Sequence, residues 1–391
     1  MLRIALVTPI LPIAHDQTRG RFIHETARSL GKIATVKTFF QSIQYPRVPG
    51  FKPRSSIYGE VDAKNYQLDG CDVEAFSYPG IPGLTRGWNG HIASLSLTPR
   101  VRRFKPDLVL AYWVYPDGYA ALRTARALGV PCVVGALGTD IHVRAGVSEK
   151  MTRRTLQSVD AVLTVSEAMR QYTIRQFGVG PDDIHTIVNG FNTAVFRPMD
   201  QAALRAKWGV KPDEKMVVYV GRFIEAKGLR ELITAFQQLA KDDPKVSLTL
   251  VGDGVMREEL LNLVRATGLT ERFHLPGGQP PAQVAEWINA ANVLTLPSWS
   301  EGYPNVVVEG VACGRPVVAT DVGGTREILN ASNGILIPPK NTLALADALR
   351  NALNRPWDNA GIAAAMSRTW DDVAVETLAV CEQVARAGRR R

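Results

Sequence analysis

The chain has 391 residues, 46% hydrophobic and 21% charged, a length suited to two domains and a composition that excludes a disordered, collagen-like or disulfide-stapled protein. Its 46 Lys and Arg against 37 Asp and Glu leave a net charge of +9. Residues 1–200 carry 24 basic against 16 acidic side chains and residues 201–391 carry 22 against 21, an asymmetry that fits either a first half that meets something anionic (nucleic acid, an acidic membrane leaflet or a phosphorylated substrate) or a merely soluble basic surface. Nucleic acid ranks last of these, because the charge is spread out without interleaved aromatics or a compact basic helix.

In chain order, the opening MLRIALVTPILPIAHDQ breaks at two prolines and has no small-residue cleavage site, so it reads as a strand rather than a signal peptide. Short apolar, β-rich runs follow at 3–8, 33–39, 107–112, 131–136, 160–165 and 184–188, with helical patterns at 21–30, 116–128 and 167–177. The segment NGFNTAVFRPMD, residues 189–200, mixes turn formers with proline and reads as a domain linker. A second series has strands at 216–220, 246–251, 292–296 and 316–320 and helices at 229–239, 256–266 and 283–290. Near-continuous apolar strands alternating with helices predict an α/β fold of two parallel sheets, whose C-terminal strand edges would face one ligand cleft. The expected domains are residues 1–190 and 191–365, with a helix at about 366–391 packing back on the first. The terminal RAGRRR reads as a solvated basic tail.

The longest stretch without a charged residue, 287–300, falls short of the ~18 to 20 apolar residues that span a bilayer. The expected location is therefore the cytoplasm. Cys71, Cys132, Cys313 and Cys381 are scattered with no CxxC pair, which predicts buried free thiols and no metal site.

Two blocks carry chemistry. In EGYPNVVVEGVACGRPVVATDVGG, residues 301–324, Glu301 and Glu309 stand eight apart. Pro304 suits a first helical turn, which places Glu301 in the preceding loop and Glu309 inside the helix. The amides of Asn305 and Val306 then favour a phosphate at the helix start, bringing ligand hydroxyls near both carboxylates. In GRFIEAKGLRELITAF, residues 221–236, Gly221, Arg222 and Lys227 sit in the loop after a strand, where two cations neutralise a diphosphate without a metal. No D-x-D triplet occurs in the chain, so the usual carboxylate pair for a divalent ion on a nucleotide diphosphate is missing. LVGDGVMREEL offers Gly252 and Gly254 for close backbone approach to a ligand, a weaker signal.

These blocks, with the DVGGTREI that follows PVVA, resemble the retaining family 4 glycosyltransferases of the GT-B fold, glycosyl transferases group 1. The resemblance implies two Rossmann-like domains facing a central cleft, the first binding the acceptor and the second a nucleotide-sugar donor, UDP- or GDP-linked, with no cofactor. It implies that Arg222 and Lys227 grip the donor diphosphate, that Glu309 meets the ribose and Glu301 the hydroxyls of the transferred sugar, with Tyr303 alongside. Backbone in LPGGQ, including Gly277, would meet the base. In the first half, Gly20 corresponds to the family's glycine-rich turn, although Arg19 and Arg21 flank it here and are expected to meet an anionic acceptor. GTDIH places Asp140 and His142 at a strand edge, and His142 resembles the family's active-site histidine. The implied reaction is metal-independent transfer to a lipid-linked or polysaccharide acceptor in cell-surface glycan synthesis, with peripheral contact to an anionic inner membrane face. A nucleotide-sugar epimerase, a sugar phosphorylase and a non-catalytic nucleotide-sugar binder are the competing readings.

Overall fold

A computed structural model describes residues 1–14, 16–17, 19–46, 63–142 and 146–388. The chain divides into two compact units, Met1–Gly190 with Trp370–Arg391, and Phe191–Thr369. The first contains β1 (Arg3–Thr8), β2 (Thr35–Gln44), β3 (Val73–Pro79), β4 (Leu108–Tyr112), β5 (Cys132–Ala136), β6 (Ala161–Thr164) and β7 (Ile184–Thr186) in the spatial order β3-β2-β1-β4-β5-β6-β7. The second contains β8 (Lys215–Val220), β9 (Val246–Val251), β10 (Phe273–Gly277), β11 (Val293–Leu296), β12 (Val317–Thr320) and β13 (Gly334–Ile337), ordered β10-β9-β8-β11-β12-β13. Neighbouring strands pair in parallel in both sheets. Parallel sheets survive only with both faces covered, and the central strands are accordingly buried from end to end, as in LVLAY of β4 and VSLTLV of β9.

Each sheet reverses its direction of growth once. In the first unit the reversal lies between β1 and β4, and in the second between β8 and β11. Loops leaving the C-terminal ends of strands on either side of such a switch point diverge and leave a crevice. That topology decides which loops hold chemistry in each unit.

Several elements depart from the sequence reading. β3 is an edge strand whose VEAFSYP alternates buried and exposed positions rather than forming an apolar run. The helix Asn89–Phe104 contains Gly90, three hydroxyl residues and Pro99, all poor helix formers, and is held instead by buried Ala93, Leu97 and Val101 on one face. Ile33 closes the helix Arg21–Ile33 instead of opening β2. The helix expected from residue 116 starts at Tyr119, after an irregular turn in which Trp113 has a φ of 93°. β10 and β13 and the helices Val147–Leu156 and Thr342–Asn354 were not expected either.

The final helix, Trp370–Gly388, lies against the helix Arg21–Ile33, with Lys32 Nζ 2.7 Å from Asp371 Oδ1. Its Trp370, Val373, Ala374 and Cys381 join the core formed by Ile4, Leu6, Leu108 and Leu110. Cys132, Cys313 and Cys381 are buried thiols and Cys71 is half-buried, none in a disulfide. Part of the terminal basic tail, residues 389–391, lies outside the described residues. No helix of the described residues is long and apolar enough to cross a membrane. Trp370→Ala removes a core aromatic and should cost about 3 kcal/mol or more, read as a lowered urea midpoint. An unchanged midpoint would detach the last helix from the first unit's core.

Candidate active site

The second unit's sheet edge gathers most of the residues singled out above. β8 ends in buried Tyr219, whose hydroxyl donates to the Arg222 carbonyl at 2.9 Å and folds the chain over Gly221. Burial first, and then the negative charge of Glu301, push this phenol far above its ordinary range, so it stays a donor. The next residue inward, Phe223, is buried, and its amide donates to the Asp253 carbonyl at 2.7 Å while its carbonyl accepts from Met256 N at 3.0 Å. The loops after β8 and β9 are thereby laced into one layer.

Gly252 and Gly254 make that layer possible. With φ of 147° and 155°, a Cβ on either would overlap backbone of the neighbouring loop: the Gly221 carbonyl for Gly252, and Phe223 for Gly254. Their close approach within the fold is to the backbone of the neighbouring loop. Gly252 also donates to the carbonyl of Gly277, which ends β10 with a φ of 80°. The Gln279 amide folds back onto the Pro276 carbonyl at 2.7 Å.

Across the switch point the loop after β11 comes down on the loop after β8. Trp299 N donates to the Ala226 carbonyl at 2.8 Å, and the Trp299 indole donates to Glu231 Oε1 at 3.1 Å while Lys340 Nζ stands 4.2 Å above its ring. This clamp brings Lys227, in the short turn Glu225–Lys227, to Glu301: Nζ donates to Oε1 at 2.5 Å. Their side chains are only 17% and 12% exposed. Arg222 is exposed and has no ion-pair partner among the described residues.

The loop after β12 fixes Glu301 from the other side. Gly324 N donates to the Gly302 carbonyl at 2.9 Å, and Gly323, with a φ of 55°, packs so closely that a Cβ would overlap the Glu301 carbonyl. Pro304 then caps the helix Asn305–Ala312 in an extended conformation, one position earlier than the expected first turn. Asn305 and Val306 form that first turn, and Glu309 lies half-buried one turn further on. Tyr303 is half-buried, its phenol pushed up to about 12 by burial, then by Glu327, against the opposing pull of Arg368.

In the first unit, Gly20 precedes the helix Arg21–Ile33 with a φ of 60°, pressed against the Ile10 carbonyl so that any side chain would collide. The flanking arginines make contacts within the first unit. The Arg19 guanidinium donates to the carbonyls of Pro9 at 2.8 Å and Leu11 at 3.2 Å. Arg21 lies 4.0 Å from Glu25.

Asp140 is wholly buried, accepting from the amides of Leu137 at 2.9 Å, Gly138 at 2.8 Å and Val114 at 3.2 Å. It ties the loop after β5 to the loop after β4 and supports the turn that carries His142. His142 is half-buried with its ring 4.4 Å from that of Tyr172, and burial holds its imidazole below the ordinary 6.5. The ring is neutral at pH 7, one nitrogen donating and the other accepting. Among the described residues no three His, Cys, Asp or Glu side chains gather as a metal-binding group.

Sequence reasoning did not reach Tyr219, Trp299 or Gly323. Each was visible only as a member of a motif or apolar strand, a Trp two places before Glu301 and a glycine in DVGG, and the loop contacts that give them their roles span many residues.

The sequence and the fold have counterparts among known proteins. Residues 200–367 match the family model described as glycosyl transferases group 1, and residues 21–195 match that of glycosyltransferase family 4. A relative in Bacillus subtilis, described as the putative teichuronic acid biosynthesis glycosyltransferase TuaC, is 30% identical over 359 residues, 89% of this chain and 88% of that one. This chain belongs to the group 1 glycosyltransferases. The GT-B fold agrees. Sucrose-phosphate synthase from Thermosynechococcus elongatus superposes with a TM-score of 0.78 at 20% identity, covering 99% of this chain and all of that one. Anabaena HepE in complex with UDP-glucose gives 0.73 at 18% over the full length of both.

Two outcomes test this glycosyltransferase's geometry. Gly323→Ala forces an L-residue into a left-handed conformation against the Glu301 carbonyl and should destabilise by about 1 to 3 kcal/mol, measured as a drop in Tm. In a proton NMR titration the His142 ring should protonate with a midpoint below 6.5. Its depressed folded pKa gives stability that is complete above the unfolded value and is lost as pH falls through the folded one. A midpoint at or above 6.5 would contradict the burial.

Proposed function

We propose that this glycosyltransferase moves a sugar, with retention and without a divalent metal, from a nucleoside diphosphate sugar to a lipid-linked or polysaccharide acceptor at the inner membrane face. The observation that carries the reading is the Lys227–Glu301 pair beside exposed Arg222 at the switch point of the second sheet. A diphosphate entering this edge takes Arg222 as a planar fork and Lys227 as a point charge. Lys227 then exchanges a carboxylate for a phosphate oxygen, and Glu301 is released to accept hydrogen bonds from sugar hydroxyls. The first turn at Asn305 and Val306 adds its amides and the positive end of the helix, and Glu309 takes the ribose. Gly221 and Gly277 contribute backbone at the same edge.

The bond that breaks joins the anomeric carbon to a phosphate oxygen, and its electron pair leaves with the nucleoside diphosphate. The acceptor oxygen bonds to the same face of that carbon, and its proton goes to a departing phosphate oxygen, so no protein base is needed. Negative charge grows on the diphosphate as the bond stretches, and fixed cations stabilise it most at the transition state. We assign acceptor binding to the first unit, with Gly20 and His142 at its sheet edge. The UDP-glucose held by the HepE structure supports a uridine donor.

Arg222→Ala and Lys227→Ala should each lower kcat tenfold or more, on the scale of ~10²-fold for one lost transition-state donor, with smaller changes in KM. Near-normal turnover in both would overturn the mechanism. Thermal shifts across a panel of nucleotide-sugars identify the donor directly, because a ligand stabilises the folded state according to its concentration relative to Kd.

A further inference from the structure

The first unit carries an apolar and cationic surface that the reaction above does not use. The segment 75–106 contains no Asp or Glu but holds Arg86, Arg100, Arg102, Arg103 and Lys105. Within it the connection from β3 to the helix Asn89–Phe104 exposes large apolar side chains: Ile81 at 48%, Leu84 at 78% and Trp88 at 66%. Val147, 58% exposed, opens the helix Val147–Leu156 and lies against Gly87, where a Cβ would come within 2.7 Å of its Cγ1.

Cations complete the same surface. Val147, Lys150 and Arg154 stand at i, i+3 and i+7 of one helix and are all exposed. Arg154 reaches over the Tyr119 ring at 5.8 Å, Tyr119 meets His91 at 4.9 Å, and His91 meets Trp88 at 5.5 Å. This chain of contacts makes the loop and the helix one continuous face. Arg86, Lys150 and Arg154 have no acidic partner among the described residues, whereas Glu149 on that helix lies 3.5 Å from Arg153. The loop is braced, since Tyr115 donates its hydroxyl to the Arg86 carbonyl at 2.7 Å. Beside it opens a pocket of about 560 Å³ lined by Tyr45, Pro46, Tyr78, Ile81, Thr85 and Ile92.

We propose that this face docks the protein on an anionic lipid bilayer, with Leu84, Trp88, Ile81 and Val147 entering the interface and Arg86, Lys150 and Arg154 on lipid phosphates. Apolar side chains ringed by cations match a headgroup layer over hydrocarbon, and a Trp at its centre suits the boundary between them. The pocket gives an acyl or prenyl segment a place to enter. The inference rests on the reading of a membrane-face enzyme and assigns the surface that performs it.

Full-length protein is mixed with vesicles of phosphatidylcholine, with and without phosphatidylglycerol, and co-sedimentation is measured. Binding should require the anionic lipid and weaken with salt. Arg86→Ser, Lys150→Ser and Arg154→Ser should each weaken it about fivefold, and Leu84→Ser with Trp88→Ala should abolish it. Thermal shift by UDP-glucose, measured on the same variants, should be unchanged and reports the donor site independently. If the wild type does not bind anionic vesicles, if the variants bind like wild type, or if the apolar variant instead converts a dimer to a monomer, the proposal fails while the donor reading stands. Vesicle binding by a wild type that shows no UDP-glucose shift would uphold the docking face and overturn UDP-glucose as the donor instead.

Discussion

A lysine and a glutamate 74 positions apart in sequence, held at 2.5 Å with little solvent around either, are the interaction on which the second unit's site depends. Such a pair costs desolvation and is weak evidence of stability in itself. Its value here is positional. With Glu301 in place, Lys227 is held on a carboxylate instead of sampling solvent. An incoming anion then replaces one counterion with another. The surrounding hydrogen bonds from Trp299, Tyr219 and Gly324 act on backbone, so the charges are aimed by rigid loops and remain able to exchange partners.

Backbone proximity sets the second constraint. Gly252, Gly254 and Gly323 each stand where a single methyl would strike a neighbouring loop. They allow connections from different strands to stack at the sheet edge with no side chains between them. The first unit uses the same device at Gly20 but adds side-chain ties, with Arg19 and Asp140 spending their hydrogen bonds on loop carbonyls and amides. Its sheet edge is therefore braced by charged groups that a sequence would assign to ligands.

The same two constraints explain what could be read beforehand. The fold was legible because buried parallel strands must be apolar throughout, as in the VLTLP run that opens at Val293. The Glu301 and Lys227 blocks were legible because their residue types and spacing have few other uses together. Asp140, Arg19 and Gly252 mark the limit of such reading, because type and position in a loop do not reveal the contacts each makes with the chain itself. The helix Asn89–Phe104 was hidden because tertiary packing, not propensity, holds it.

The docking of the last helix on the opening one has a consequence for biosynthesis. A ribosome finishes the whole of Phe191–Thr369 before the residues that seal the first unit emerge. The second unit is able to close as a self-sufficient insertion, while the opening sheet waits with the groove for Trp370 and Cys381 uncovered. During that interval the nascent chain displays an apolar strip, the kind of surface that makes unfinished chains prone to aggregate, and the first unit's core is completed only by the nineteen-residue helix Trp370–Gly388.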